Sequence, residues 1–159
     1  TASAGLSTKL SDKWQLSFDA LWAKVSGTAA SGGIDAIAGS SADLYLSAYL
    51  YGDAISLPDD SVGAGLAFTG GPHLAKLSGD VFWRYPIAER IALTPRLRVS
   101  LQRRNGETSV KATPGIGVRY RIDKHWLLES ELGVTFDAGA ADSAIATETQ
   151  AIVGYRYEF

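Results

Sequence analysis

Residues 145–159 read Ile145-Ala146-Thr147-Glu148-Thr149-Gln150-Ala151-Ile152-Val153-Gly154-Tyr155-Arg156-Tyr157-Glu158-Phe159. Counting back from Phe159, every second residue is apolar or uncharged: Tyr157, Tyr155, Val153, Ala151, Thr149, Thr147 and Ile145. Between them lie Glu158, Arg156, Gly154, Gln150 and Glu148, with Ile152 the one large apolar exception. Successive side chains of an extended chain point to opposite faces, so this period of two predicts a strand with one apolar and one polar side.

Working outward, the pattern recurs. Ile91, Leu93, Pro95, Leu97, Val99 and Leu101 alternate with Ala92, Thr94, Arg96, Arg98, Ser100 and Gln102. Val110, Ala112, Pro114, Ile116, Val118, Tyr120 and Ile122 alternate with Lys111, Thr113, Gly115, Gly117, Arg119, Arg121 and Asp123. Trp126, Leu128, Ser130, Leu132, Val134 and Phe136 oppose Glu129, Glu131, Gly133, Thr135 and Asp137. The signal is weaker nearer the amino end. There Trp14, Leu16, Phe18, Ala20 and Trp22 alternate with Gln15, Ser17 and Asp19, and Leu77, Val81, Trp83 and Tyr85 with Lys76, Ser78, Asp80 and Arg84. Short strands are expected over residues 4–10, 44–51 and 62–68, the last with glycines in place of polar residues, for about nine strands in all.

Composition alone fits an ordinary soluble domain, at 46% hydrophobic and 20% charged residues with net charge -2. No apolar run approaches the ~20 residues of a spanning helix. If the chain enters a bilayer, closed strands are the remaining structure, because hydrocarbon offers no partner to open backbone groups. Half-apolar strands also give a mean hydropathy near zero, as found here. With no cysteine, the chain has no disulfide framework, thiol nucleophile or thiolate metal site. A near-neutral charge without basic clusters argues against nucleic acid, and no cofactor or metal is expected. The chain opens on Thr1 without a signal peptide, so it reads as a processed or excised piece.

Connections alternate in expected length: tight at 11–13, 86–90 and 123–125, longer at 26–41, 103–108 and 137–143. Trp14, Tyr85, Trp126 and Tyr157 fall near the short turns, and Trp22, Phe68 and Phe136 near the long ones. Two aromatic belts about eight to ten residues apart, at roughly 3.3 Å per residue and a tilt near 45°, span about 20–25 Å, the height of an outer-membrane apolar band. The expected fold for residues 1–159 is therefore all-β: an antiparallel up-and-down transmembrane β-barrel of about eight or nine strands, or the C-terminal part of a larger barrel. Two features resist it. Pro95 and Pro114 each remove a ladder hydrogen bond inside a strand. An odd count also puts the two ends on opposite sides, which calls either for a miscount around residues 52–61 or for further strands.

The aromatic terminus Tyr155, Tyr157 and Phe159 resembles the assembly signal of bacterial outer-membrane barrels. Thr94-Pro95-Arg96-Leu97-Arg98, Thr113-Pro114-Gly115-Ile116-Gly117-Val118-Arg119-Tyr120-Arg121, Leu127-Leu128-Glu129-Ser130-Glu131-Leu132-Gly133 and Gly154-Tyr155-Arg156-Tyr157-Glu158-Phe159 look like the C-terminal barrel of tetratricopeptide-repeat-linked outer-membrane proteins. The resemblance covers about the last 70 residues, and this chain holds no helical repeat. It implies a bacterial outer-membrane location, a lipid bilayer with lipopolysaccharide around the apolar face, and contact with the barrel-assembly machinery. It further implies missing N-terminal strands or periplasmic repeats, and an exporting role.

The polar face carries the candidate chemistry. Arg96, Arg98, Arg119, Arg121, Glu129, Glu131, Glu148, Arg156, Asp80 and Arg84 are expected to line a lumen, with a basic stripe beside an acidic one. Such a lining orients ions or polar solutes; the plainer account is a salt-bridge network that satisfies a narrow interior. Trp14, Trp22, Tyr85, Trp126, Phe136 and Tyr157 form the expected girdle. Catalysis is not expected: His73 and His125 are the only histidines, and no spacing selects His73 with Asp137 or Asp142. Gly63, Gly65, Gly70 and Gly71 follow no phosphate-loop pattern. Asp59 and Asp60 beside Pro58 read as a solvated turn more readily than as a calcium loop. Tyr45, Tyr49 and Tyr51, with Asp43 and Asp53, share one face and suit sugar stacking less well than packing. The favoured function is a passive pore or export conduit for polar solutes or polymer. The alternatives are a closed structural, adhesion or receptor barrel without a channel, and a soluble lipocalin-like or sandwich protein.

Overall fold

The computed structural model describes residues 1–24, 27, 42–72, 74–139 and 145–157. Nine strands follow one another: β1 (Ala2–Lys9), β2 (Trp14–Ala23), β3 (Asp43–Asp53), β4 (Ser61–Gly70), β5 (Leu74–Ala88), β6 (Ile91–Arg104), β7 (Glu107–Arg121), β8 (Trp126–Ala138) and β9 (Ala146–Tyr157). Each pairs antiparallel with its neighbours in sequence, forming one up-and-down sheet. The described residues hold no helix. The sheet is open, with β1 and β9 as its edges.

Because side chains alternate, a slip of one residue would turn a strand inside out. The register avoids this throughout. Phe18↔Ala48, Ala48↔Leu66, Leu66↔Gly79, Val81↔Leu97, Ile116↔Leu132 and Leu132↔Ala151 keep apolar residues together on one side. Tyr49↔Gly65, Gly65↔Asp80, Asp80↔Arg98 and Arg98↔Thr113 keep the polar set on the other. The polar side is concave: a cavity of about 520 Å³ is lined from Tyr51 on β3 through Phe82, Arg96, Arg119 and Glu129 to Ile152 on β9.

A second layer is absent among the described residues. Leu127, 5% exposed, is the one buried hydrophobic residue there, and it lies on the concave side. The apolar side faces outward, with Leu132 51% and Val153 73% exposed, and Leu97 also exposed. Residues that would form the centre of a soluble sandwich therefore pack on no second layer among the described residues.

Several local expectations are corrected. The connection at 103–108 is tight: β6 and β7 meet across Asn105 and Gly106, whose φ values of 51° and 91° lie in the left-handed region that a two-residue hairpin turn requires. Only Gly27 of the connection expected at 26–41, and residues 137–139 of that at 137–143, are described. Residues 52–61 conceal no extra strand. They enclose a turn, 54–60, organised around one carboxylate.

That carboxylate belongs to Asp60, which is fully buried at 0% exposure, against the expectation of a solvated acid. It accepts the backbone N–H of Ile55 at 2.6 Å and of Ser56 at 3.1 Å, while the Asp60 carbonyl accepts from Ala54 at 2.9 Å. Ala54 and Asp59 adopt positive φ to close the loop. Burial pushes the Asp60 pKa up, but hydrogen bonds from Ser56, Ile55 and Leu57 and from the Trp83 side chain prevail and hold it below 3.8.

The prolines are accommodated without a change of register. The β5–β6 ladder passes over Trp83/Pro95 and Arg84/Thr94 and resumes at Tyr85↔Leu93. The β7–β8 ladder passes over Thr113 and Pro114 between Ala112↔Phe136 and Gly115↔Gly133. A hydroxyl pair, Thr113 with Thr135 at 2.9 Å, bridges the second gap.

Asp60→Ala should lower the urea midpoint of the folded protein more than Asp59→Ala. A depressed folded pKa also fixes the pH sign: the stability from Asp60 is complete above 3.8 and drains as pH falls through the lower folded value. Unfolding curves of wild type and Asp60→Ala should therefore converge in acid. A gap between them that is independent of pH would contradict this account.

Candidate functional site

The candidate site is the wall of charged and aromatic side chains on the concave face. The hairpin turn after β7 fixes its register. Asp123 Oδ1 accepts the backbone N–H of His125 at 2.7 Å and of Trp126 at 2.9 Å, closing a tight Asx-type turn. Those two bonds, the His125 one first, hold the Asp123 carboxyl below its usual range. From this turn the pairing runs Arg121↔Leu127 and then Arg119↔Glu129. The two charges meet directly, with Arg119 Nε 2.8 Å and an Arg119 terminal nitrogen 2.7 Å from Glu129 Oε1. Further along the same ladder, Lys111 and Asp137 are register partners and close to 2.6 Å.

Arg96 and Arg98 do not stand beside Arg119 and Arg121, as simple sequence order suggested. In the β6–β7 register Arg119 faces Ala92, while Arg96 faces Gly115 and Arg98 faces Thr113. Both arginines instead reach over β7 to Glu131 on β8, Arg96 at 3.2 Å and Arg98 at 3.1 Å. Gly115 is the β7 residue opposite Arg96, and a Cβ there would come within 3.1 Å of the Leu132 carbonyl oxygen. In place of the expected basic stripe and acidic stripe stand three separate ion-paired clusters.

A glycine shapes the amino-terminal side of the wall. A Cβ on Gly63 would collide with the Phe82 ring and the Tyr49 hydroxyl, so both rings lie flat against the β4 backbone. Arg96 then sits 5.5 Å from the Phe82 ring centroid, a cation–π arrangement. Among the described residues Arg96 Nε and Asp137 Oδ1 are buried without a hydrogen-bond partner. Asp80 faces Gly65 on one side and Arg98 on the other. Arg84 donates to the Asp59 carbonyl at 3.4 Å, a contact that the sequence pattern did not anticipate. Glu148 faces Thr135, and Arg156 faces Leu127.

The girdle residues occupy the convex, apolar side. Trp22, Tyr85, Trp126, Phe136 and Tyr157 are exposed there, while Trp14 is half-buried against Gly52. Trp126 packs edge-on to Tyr157 with centroids at 5.0 Å and lies 5.9 Å from Tyr155. Trp83, left out of the expected belt, joins Tyr85 at 5.2 Å; its period-two placement could have revealed it. Phe159, His73 and Asp142 lie outside the described residues. No family model and no curated protein matches the chain.

Chemically, the concave face offers alternating fixed charges with aromatic patches between them. Among the described residues, no nucleophile with an adjacent base is assembled on it. Glu131→Gln strands Arg96 and Arg98 together and should destabilise the fold by about 1 kcal/mol, with little coupling to a change at Glu129. A double-mutant cycle in detergent-folded protein measures both. Strong Glu131–Glu129 coupling would mean that the clusters form one network.

Proposed function

We propose that this chain forms wall of a bacterial outer-membrane β-barrel that acts as a passive pore or export conduit for polar solutes or polymer. One observation carries the reading: an apolar sheet face left outward over nine strands, backed by a concave face holding the ion pairs. Nine strands about 4.8 Å apart and an apolar height of roughly 20–25 Å make a surface on the order of 10³ Å². Soluble monomers rarely expose apolar patches beyond about 600 Å². Hydrocarbon is the surroundings that such a face fits, with Trp22, Tyr85, Trp126 and Tyr157 at the interfaces.

The flat-lying side chains favour passage over a filled interior. Phe82 and Tyr49 lie against the backbone at Gly63, so they line the wall and leave space before it. Additional strands between β9 and β1 complete the cylinder in this reading, and the barrel-assembly machinery inserts it. The lining selects by charge without catalysis.

Planar-bilayer recording of the refolded protein tests the reading. Discrete conductance steps are the expected result; a correctly folded but silent barrel would favour the closed structural or adhesion role instead. Independently, Leu132→Arg should destabilise the bilayer-embedded protein by about 2–4 kcal/mol if that side meets acyl chains. Gln150→Arg, on the opposite side, should shift stability by no more than about 0.5 kcal/mol. Equal penalties in urea titrations would remove the assignment of faces.

A further inference from the structure

Beyond the Arg119–Glu129 pair, a cavity of about 490 Å³ opens at the end of the sheet where the β3–β4 and β5–β6 turns lie. Four arginines line it: Arg84 on β5, Arg90 in the β5–β6 turn, and Arg119 and Arg121 on β7. Arg119 is committed to Glu129. Arg84 and Arg90 hydrogen-bond only to carbonyls among the described residues, those of Asp59 at 3.4 Å and Ile122 at 3.3 Å. Arg121 makes no side-chain ion pair there, although its backbone N–H binds the Arg90 carbonyl at 2.8 Å and holds the two residues side by side.

Opposing charge is limited. Asp59 and Glu89 line the cavity, and Asp123 lies within electrostatic reach of Arg90, yet none comes within 4.0 Å of these three guanidinium groups. The remaining walls are apolar: Leu57 and Pro58 from the turn anchored by Asp60, and the buried Leu127 beneath. Low-polarity walls strengthen each charge that they flank. Guanidinium forks in such a setting match tetrahedral oxyanions in two-point hydrogen bonding.

We infer that this cavity binds a phosphate-class oxyanion carried by a small soluble molecule. Three guanidinium groups without carboxylate partners converge on one space large enough for such a group, whereas Arg96 and Arg98 share Glu131 and Arg119 pairs with Glu129. Arg84, Arg119 and Arg121 lie on the concave side, away from the apolar face, which assigns the anion to solution and not to a lipid headgroup. The inference does not depend on an open channel, since the cavity exists whether or not current passes.

Calorimetric titration of the detergent-folded chain with inorganic pyrophosphate tests it, with folding of each variant checked by circular dichroism. Saturable binding that weakens with added salt is expected. Arg121→Gln and Arg84→Gln should each raise Kd about tenfold, the effect of one lost charge-assisted hydrogen bond. Lys9→Gln, which removes the same charge on β1 outside the cavity, should leave Kd unchanged. Absence of saturable binding, or equal weakening in all three variants, would overturn the inference. Occupation by phosphatidylglycerol added to the micelles, with exclusion of pyrophosphate, would overturn the assignment to a soluble anion.

Discussion

The fold rests on parity. In an antiparallel ladder the side chain of each residue shares a face with that of its register partner, so one polarity rule, kept through eight ladders, divides the molecule into two surfaces. Packing adds little here, because a single hydrophobic residue is buried among those described. Backbone hydrogen bonding between neighbours and the surroundings of each face therefore carry the stability. A globular domain reverses that ranking, with its apolar face folded onto a second layer.

Glycine has a constructive role within this scheme. On the concave face, the bare Cα of Gly63 gives the Phe82 ring and the Tyr49 hydroxyl room to lie against the β4 backbone. Arg96 finds its carboxylate two strands away on β8 and not on the adjacent strand. The unoccupied arginines gather instead where the Asp60-anchored turn reaches over the sheet end.

Nearly all of the strand layout was legible because period-two alternation persists through long segments; the predicted starts at Trp14, Ile91 and Trp126 coincide with those observed. The Arg119–Glu129 and Lys111–Asp137 pairs were also readable in principle, since the tight turn beginning at Asp123 fixes register by counting outward. The Arg96–Glu131 contact was not, because it depends on a side chain crossing an intervening strand. Asp60 was misread for a related reason. Its burial comes from backbone N–H groups and Trp83 folding around it, and neither leaves a pattern in the residue types of a Pro-containing turn. The 103–108 connection was overestimated although Asn105-Gly106 is a strong hairpin signal, because flanking polar residues that belong to the strands were counted as loop.

The two prolines divide the wall into panels. Pairing from Ile91↔Tyr120 to Arg104↔Glu107 runs unbroken, so β6 and β7 form a stiff slab closed by its own hairpin. On one flank the ladder to β5 is interrupted beside Pro95, and on the other the ladder to β8 is interrupted beside Pro114. These interruptions act as parallel creases. Bending of the sheet meets least resistance along them, and the slab between carries Arg96, Arg98 and Arg119 on one continuous ladder.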